Sequence, residues 1–115
     1  MRHQMRLYNE PFQSICSGKK VFEVRLYDKK RQQIKQGDEI VFTNLVTAEI
    51  IAVKVTEIKR YESFKEMYEQ IDGKLFDREN VSIEERLEST YKIYTKEQEK
   101  EKEWGTVAIG IKVII

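Results

Sequence analysis

The pattern of apolar and charged side chains is most regular in residues 20–27, KVFEVRLY. Apolar side chains recur there at every second position, which is typical of a β-strand. One face of this predicted strand is apolar and consists of Phe22, Val24 and Leu26. The other face carries Glu23 and Arg25, so a carboxylate and a guanidinium lie side by side on one surface. We therefore predict a strand with one core-facing side and one charged side.

Four more strands follow from the same alternation and from turn signals. The predicted segments, in chain order, are residues 5–8, 39–42, 48–61 and 105–115. The long third segment loses its alternation after Val55, because Ile58 rather than Glu57 is apolar, and we expect a β-bulge near this point. In the last segment Ala108 and Gly110 are small, which indicates close packing on that face and a position inside the sheet.

Three helices are predicted from apolar spacing and capping residues. The first has Asn9 as its N-cap and Gly18 as its stop. Its core-facing stripe consists of Phe12, Ile15 and Cys16. The other two helices begin at capping boxes, in which a serine is followed three residues later by a glutamate. These pairs are Ser63 with Glu66 and Ser82 with Glu85.

The chain of 115 residues has the usual size of one domain, so we predict a single domain over residues 1–115, with residues 1–4 disordered. Strands and short helices occur without regular βαβ alternation, which favours a mainly β, α+β fold. Hydrophobic residues make up 40% of the chain and charged residues 36%, which indicates a small core under a strongly solvated surface. The residues favour a monomer only slightly and leave the oligomeric state open.

Several classes of protein are disfavoured by composition. No apolar run approaches the roughly 18 residues of a membrane span, so we expect a cytoplasmic protein without membrane association. Cys16 is the only cysteine and His3 the only histidine. A zinc site of four nitrogen and sulfur ligands is therefore excluded, and we expect neither a metal nor a cofactor. We interpret Cys16 as a small buried hydrophobic residue and place His3 in a frayed terminus.

Charge is distributed unevenly along the chain, although the net charge is only +1. Residues 1–60 contain 12 basic and 7 acidic side chains, and residues 61–115 contain 9 and 13. A basic face built from the first part suits a phosphate-bearing ligand. The basic segment of residues 28–35, a loop or single helical turn anchored by Ile34, is either simply solvated or a phosphate-facing edge.

The charged face of residues 20–27 is the main candidate for chemistry. Arg25 offers a planar fork of donors that suits a phosphate or a base edge, and Glu23 is able to accept from an amino group. Lys20 suits phosphate binding or, if desolvated, proton abstraction. In a regular strand, however, its side chain would point to the apolar face with Phe22 and Val24, so it joins the site only if the strand starts after it. The alternative is an exposed Glu23–Arg25 ion pair on an edge strand with no function.

Four aromatic residues are candidates for stacking on a base: Tyr8, Tyr27, Tyr61 and Trp104. For each, filling the edge of the core is the alternative. We expect Trp104 at the lip of a barrel.

The order of several motifs resembles the ASCH domain, a branch of the PUA-like β-barrels. The resemblance rests on LYNEPF at residues 7–12, KxxExR at 20–25, GDEIVF at 37–42 and WGTVAI at 104–109. It implies a barrel of five or six strands with short helices covering its openings. It also implies a cleft between barrel and helices that binds RNA or a nucleotide, modified or unmodified. The residues expected there are Lys19, Lys20, Glu23, Arg25, Tyr8, Tyr27 and Trp104.

An alternative implied by the resemblance is an amidohydrolase that deacetylates N4-acetylcytidine or a related modified nucleoside. In such relatives a lysine, a threonine and a glutamate act together. The lysine matches Lys20 and the glutamate matches Glu79 loosely, but Glu23 stands where the threonine is expected. A carboxylate cannot replace that hydroxyl nucleophile, so this alternative needs Glu23 to act as a general base on water and Lys20 to stabilise the oxyanion.

Overall fold

A computed structural model describes residues 1–94 and 105–114 of the chain. Within those residues the strands are β1 Arg2–Leu7, β2 Phe22–Leu26, β3 Glu39–Asn44, β4 Ile50–Tyr61 and β5 Thr106–Ile114. The helices are α1 Asn9–Cys16, α2 Lys29–Gln32, α3 Phe64–Gln70 and α4 Ile83–Ile93. A 3-10 helix, Gly73–Leu75, lies between the last two. The predicted mainly β, α+β fold is confirmed.

The five strands form one mixed sheet in the order β1-β3-β4-β5-β2, curled into a half-barrel. Strand β1 pairs parallel to β3, and the other neighbouring strands pair antiparallel. Strand β5 lies between β4 and β2, inside the sheet as its alternation predicts. Strands β1 and β2 are the two edges, so the gap in the half-barrel lies between them.

Two apolar clusters cover the two faces of the sheet. The first fills the concave side and includes Phe12 and Ile15 of α1 with Val107 and Ile109 of β5. The second packs α3 and α4 against the other side, where Ala108 is fully buried. Both faces of β5 are therefore buried, as its nearly continuous apolar sequence requires.

Strand β2 also has both of its faces covered. Cross-strand partners share a face in an antiparallel pair, and Glu23 and Arg25 pair with Ile109 and Val107. The charged face of β2 thus lies on the concave side of the half-barrel with the first apolar cluster. Its apolar face, with Phe22 and Leu26, packs against the second cluster.

The predicted bulge is confirmed in β4, where the pairing register with β5 shifts between Val55 and Glu57. Gly110 lies directly opposite. A Cβ atom at this position would be 2.6 Å from Thr56 Oγ1 and 2.8 Å from Glu57 Cγ. The small residues of β5 predict a close approach on that face, and at Gly110 the approaching group is the bulge of β4.

Side-chain caps start three of the helices. Asp28, Ser63 and Ser82 each accept a hydrogen bond from the backbone N–H three residues later. The segment of residues 28–35 thus contains a single helical turn, with Ile34 buried in the first cluster. Glu66 accepts from the N–H of Glu62 rather than of Ser63, so the first capping box is shifted by one residue.

Three expectations for the N-terminal part are wrong. Residues 2–4 are not disordered but belong to β1, because parallel pairing with β3 supplies their backbone partners. His3 is buried, and its Nε2 lies 2.8 Å from Asp38 Oδ2. Cys16 is exposed. It is the last residue of α1, whose buried side consists of Phe12 and Ile15, and Cys16 lies beside Phe12 on the flank away from Ile15. In addition, Tyr8 rather than Asn9 occupies the N-cap of α1.

The close packing at the bulge predicts that Gly110→Ala destabilises the protein. The added methyl group must displace Thr56 or distort the bulge, which costs roughly 1–3 kcal/mol by analogy with overpacked cores. Urea unfolding followed by circular dichroism measures the effect, and Lys112→Ala, at an exposed site on the same strand, serves as the control. The double variant Thr56→Ala/Gly110→Ala should recover part of the loss. An unfolding midpoint unchanged by Gly110→Ala would contradict this account.

The contact between β1 and the turn before β3 predicts an acid-sensitive contribution to stability. The hydrogen bond with His3, joined by the backbone N–H of Lys35, lowers the pKa of Asp38 to about 2. A carboxyl group whose pKa is lower in the folded than in the unfolded protein stabilises the fold at pH values above its unfolded-state pKa, which is near 4. That stabilisation is lost as the pH falls toward 2. The difference in unfolding free energy between the wild type and Asp38→Asn should shrink over this range, and a difference that stays constant there would contradict this account.

Candidate functional site

A cavity of about 460 Å³ opens at the gap between β1 and β2. Its walls come from β1, α1, β2, α3, α4 and the segment between α3 and α4. Five basic residues line it: Arg6, Lys20, Arg25, Arg78 and Arg86. Three acidic residues line it as well: Glu10, Glu23 and Asp77. The excess of positive charge among these residues favours an anionic ligand.

Glu23 is the most buried charged residue of the cavity, with 3% of its surface exposed. Its Oε1 accepts from the backbone N–H of Val24 at 3.1 Å and lies 3.0 Å from Lys20 Nζ. Its Oε2 accepts from Arg25 Nε at 3.2 Å and Nη2 at 2.9 Å. Both carboxylate oxygens are thus fully engaged, and the alternative of an exposed ion pair on an edge strand is wrong.

Lys20 reaches Glu23 because the chain is not yet a regular strand at that point. Strand β2 begins at Phe22, while the backbone N–H of Val21 donates to the carbonyl of Leu75 and Lys20 forms an isolated bridge with Phe76. The side chain of Lys20 is therefore free of the alternation that would direct it away from Glu23. The condition for its joining Glu23 and Arg25, that the strand starts after it, is met.

Arg25 connects the two edges of the sheet. Besides its bonds to Glu23, its Nη2 donates to the backbone carbonyl of Arg6 in β1 at 2.9 Å. Only 14% of its side chain is exposed. A guanidinium with its donors directed to several fixed acceptors has little freedom to move, so this cation is held at the cavity wall.

Electrostatics keep Glu23 ionised despite its burial. Desolvation alone would raise its pKa, but attraction to and hydrogen bonds from Lys20 and Arg25 outweigh this effect and lower the pKa to about 2. Glu23 is therefore a carboxylate at neutral pH. In this arrangement it positions two cations and leaves little free acceptor capacity for a ligand.

Two hydroxyl groups of the cavity lining, those of Tyr68 and Thr90, are hydrogen-bonded to each other. Thr90 Oγ1 donates to the carbonyl of Arg86 at 2.8 Å and lies 2.6 Å from Tyr68 Oη. Because the single hydroxyl proton of Thr90 is used, Tyr68 is the donor in the second bond. The lone pairs of Tyr68 Oη then remain available to accept from a ligand, while burial raises the pKa of this hydroxyl.

Tyr94 stands next to the charged face of β2. Burial raises the pKa of its hydroxyl, and the nearby positive charge of Arg25 partly offsets the rise. It therefore stays neutral and polar at the cavity wall.

The cavity includes only part of the set predicted from sequence. Lys20, Glu23, Arg25 and Tyr8 line it, and Tyr8 is 60% exposed at its mouth. Predicted residues that do not line it are Lys19, Tyr27, Tyr61 and Glu79, and none of residues 28–35 does. Tyr27 instead packs under the guanidinium of Arg60 at 4.4 Å, and Glu79 is exposed. Trp104 lies outside the described residues.

Sequence reasoning missed the contribution of α4. Its cavity-lining residues are Arg86, Ser89, Thr90, Ile93 and Tyr94, which include two i, i+3, i+4 sets. This spacing is the signal that was available. It was overlooked because the apolar stripe of Ile83, Leu87 and Tyr91 on the adjoining face explains the helix without it.

Residues 1–94 and 105–114 contain neither a cluster of metal ligands nor a helix that could span a membrane. No group of three or more histidine, cysteine, aspartate or glutamate side chains in that part is arranged to hold a metal ion. Likewise, none of its helices has the length and apolar character needed to cross a bilayer.

Comparison with known proteins relates this geometry to solved structures. The model of the ASCH domain family matches residues 5–115. The crystal structure of hypothetical protein PH0355 is similar at 41% identity and a TM-score of 0.87, over 99% of this chain and 100% of that one. The solution structure of protein PF0455 from Pyrococcus furiosus is 38% identical, with a TM-score of 0.77 and coverage of 99% and 98%.

A more distant structure shares the fold. The ASCH domain from Lactobacillus crispatus has a TM-score of 0.66 at 18% identity, over 96% of this chain and 79% of that one. No curated protein is similar to this chain at a significant level. The match of the family model over almost the whole length shows that this chain belongs to the ASCH domain family.

Proposed function

We propose that the cavity binds RNA or a nucleotide, modified or unmodified. The observation that carries this proposal is the buried, ionised Glu23, which holds Lys20 and Arg25 at the wall of a concave, cation-rich cavity. Burying an ion pair costs several kcal/mol per charge in desolvation, and apolar residues of similar size often stabilise a fold as well or better. Such an arrangement in a cleft is therefore a good candidate for ligand recognition.

The cavity has the size and lining of a small-molecule site. Pockets for ligands of this class measure roughly 300–1,000 Å³ and combine apolar walls with a few converging polar groups. Here the polar groups are the cations of Lys20 and Arg25 and the hydroxyl groups of Tyr68 and Thr90. Tyr8, Leu45 and Ile93 are exposed around the mouth, where Tyr8 offers a ring on which a base stacks.

Binding accounts for the site better than hydrolysis does. A general base works best with a pKa near the operating pH, whereas the pKa of Glu23 is about 2 and its oxygens are occupied by protein donors. Glu79, the other carboxylate of the proposed deacetylase, is exposed and does not line the cavity. Deacetylation of N4-acetylcytidine is therefore the weaker alternative.

Replacing a cation of the site should weaken ligand binding. Lys20→Gln or Arg25→Gln removes a charge-assisted hydrogen bond, which is worth roughly 1.5–3 kcal/mol, so affinity for short single-stranded RNAs or nucleotides should fall at least tenfold. Fluorescence anisotropy and calorimetry at low salt measure the change. Lys112→Gln, at an exposed site on β5 away from the cavity, is the matched control.

One further variant and one measurement separate a local effect from unfolding. Lys20→Arg retains the charge and should retain most of the affinity, and circular dichroism should show the native spectrum for each variant. Equal binding by the wild type and both glutamine variants, or binding by none of the proteins, would rule the proposal out.

The wild-type protein should not release cytidine from N4-acetylcytidine. Incubation at neutral pH with chromatographic detection of cytidine provides the test, and a heat-denatured sample supplies the background rate. Release that exceeds this background and disappears in Lys20→Gln would instead favour the hydrolase.

A further inference from the structure

We propose that Arg86, assisted by Arg78, forms an anion subsite of the same cavity and binds the phosphate of a nucleotide. This inference rests on the proposed nucleotide-binding function and specifies which end of the cavity receives the charged group. The subsite lies on α4 and the segment after the 3-10 helix, whereas Lys20, Glu23 and Arg25 belong to β2 and its approach.

Two of the three guanidinium nitrogens of Arg86 are withdrawn from water, and residues 1–94 and 105–114 provide no counterion for them. Its Nε and Nη1 are buried and have no hydrogen-bond partner among the residues that the structure describes. Within the same residues no carboxylate forms an ion pair with it at 4.0 Å or less. An uncompensated, partly desolvated charge is costly, and a bound anion offsets that cost.

The position of this guanidinium is set by its packing. It lies over the ring of Tyr68, with Cζ 5.4 Å from the ring centroid. On its other side is Gly73, where a Cβ atom would come within 3.1 Å of Nη1 and 2.8 Å of the carbonyl oxygen of Arg78. The absence of a side chain at Gly73 therefore leaves room for the guanidinium, and the cation is held in place before any ligand binds.

Two of the three acidic residues of the cavity are engaged elsewhere. Glu23 pairs with Lys20 and Arg25, and Asp77 accepts a hydrogen bond from Ser14 Oγ at 2.8 Å. Among the described residues neither Arg78 nor Arg86 forms an ion pair at 4.0 Å or less, so this end of the cavity carries unpaired positive charge. A guanidinium presents donors in a planar fork that fits phosphate oxygens, so phosphate is the ligand group that this end favours.

The middle of the cavity suits the uncharged part of a nucleotide. Tyr68 Oη has free lone pairs between the two charged ends and is able to accept from an amino or sugar hydroxyl group. A single nucleotide offers such donors together with a phosphate, and one nucleotide is within the usual size range for a cavity of about 460 Å³.

Calorimetry with nucleosides and their phosphates tests the subsite. The probes are the four ribonucleosides, their 5′- and 3′-monophosphates, and the dinucleotides that carry only a phosphodiester. We expect a monophosphate or a dinucleotide to bind the wild type about ten to a hundred times more tightly than the matching nucleoside. Arg86→Gln should remove this increment, Arg86→Lys should keep part of it, and Lys112→Gln should keep all of it.

The outcomes separate the subsite from the function on which it rests. An increment seen with monophosphates indicates a free nucleotide or an RNA end, and one confined to dinucleotides indicates the RNA backbone; both support the subsite if Arg86→Gln abolishes them. Nucleoside binding without a phosphate increment, or an increment that survives in a folded Arg86→Gln protein, overturns the subsite alone. Failure of the wild type to bind any probe refutes the proposed function itself.

Discussion

The buried contact of Glu23 with Lys20 and Arg25 is the interaction on which both the fold and the cavity depend. Glu23 lies on the concave face of the half-barrel beside Ile109, where an unpaired carboxylate would be strongly destabilising. Its two cations remove that cost, and one of them, Arg25, also reaches the carbonyl of Arg6 across the open edge of the sheet. A single ionic cluster therefore joins the two edge strands and supplies the charged wall of the cavity.

Much of the scaffold around this cluster follows from local sequence. The alternation of β5, the break in alternation after Val55 and the serines that cap α3 and α4 each depend on neighbouring residues alone. The first strand was harder to predict, because its order comes from parallel pairing with β3 and from the distant contact of His3 with Asp38. Local pattern is a poor guide where the stabilising partner is some 35 residues away along the chain.

The cavity illustrates the same limit. KxxExR places Glu23 and Arg25 together by strand geometry, but only the bridge to the segment near Phe76 frees Lys20 from that geometry. Tyr68 and Arg86 come from two different helices, α3 and α4, so the spacing within α4 marks a polar face but does not show that this face meets Tyr68 at the cavity. For Cys16 the local pattern predicts burial that the structure does not show. The buried stripe of the eight-residue helix α1 is too narrow to include it.

The two charged ends of the cavity differ in a way that bears on recognition. At the Glu23 end the cations of Lys20 and Arg25 are already paired with Glu23. A ligand bound there shares these donors with Glu23, so the contact contributes more to geometric selectivity than to binding energy. At the Arg86 end the guanidinium carries its desolvation cost before binding, so a new anion contributes nearly its full interaction energy. One wall thus favours discrimination among ligands, and the other favours affinity for those that carry a phosphate.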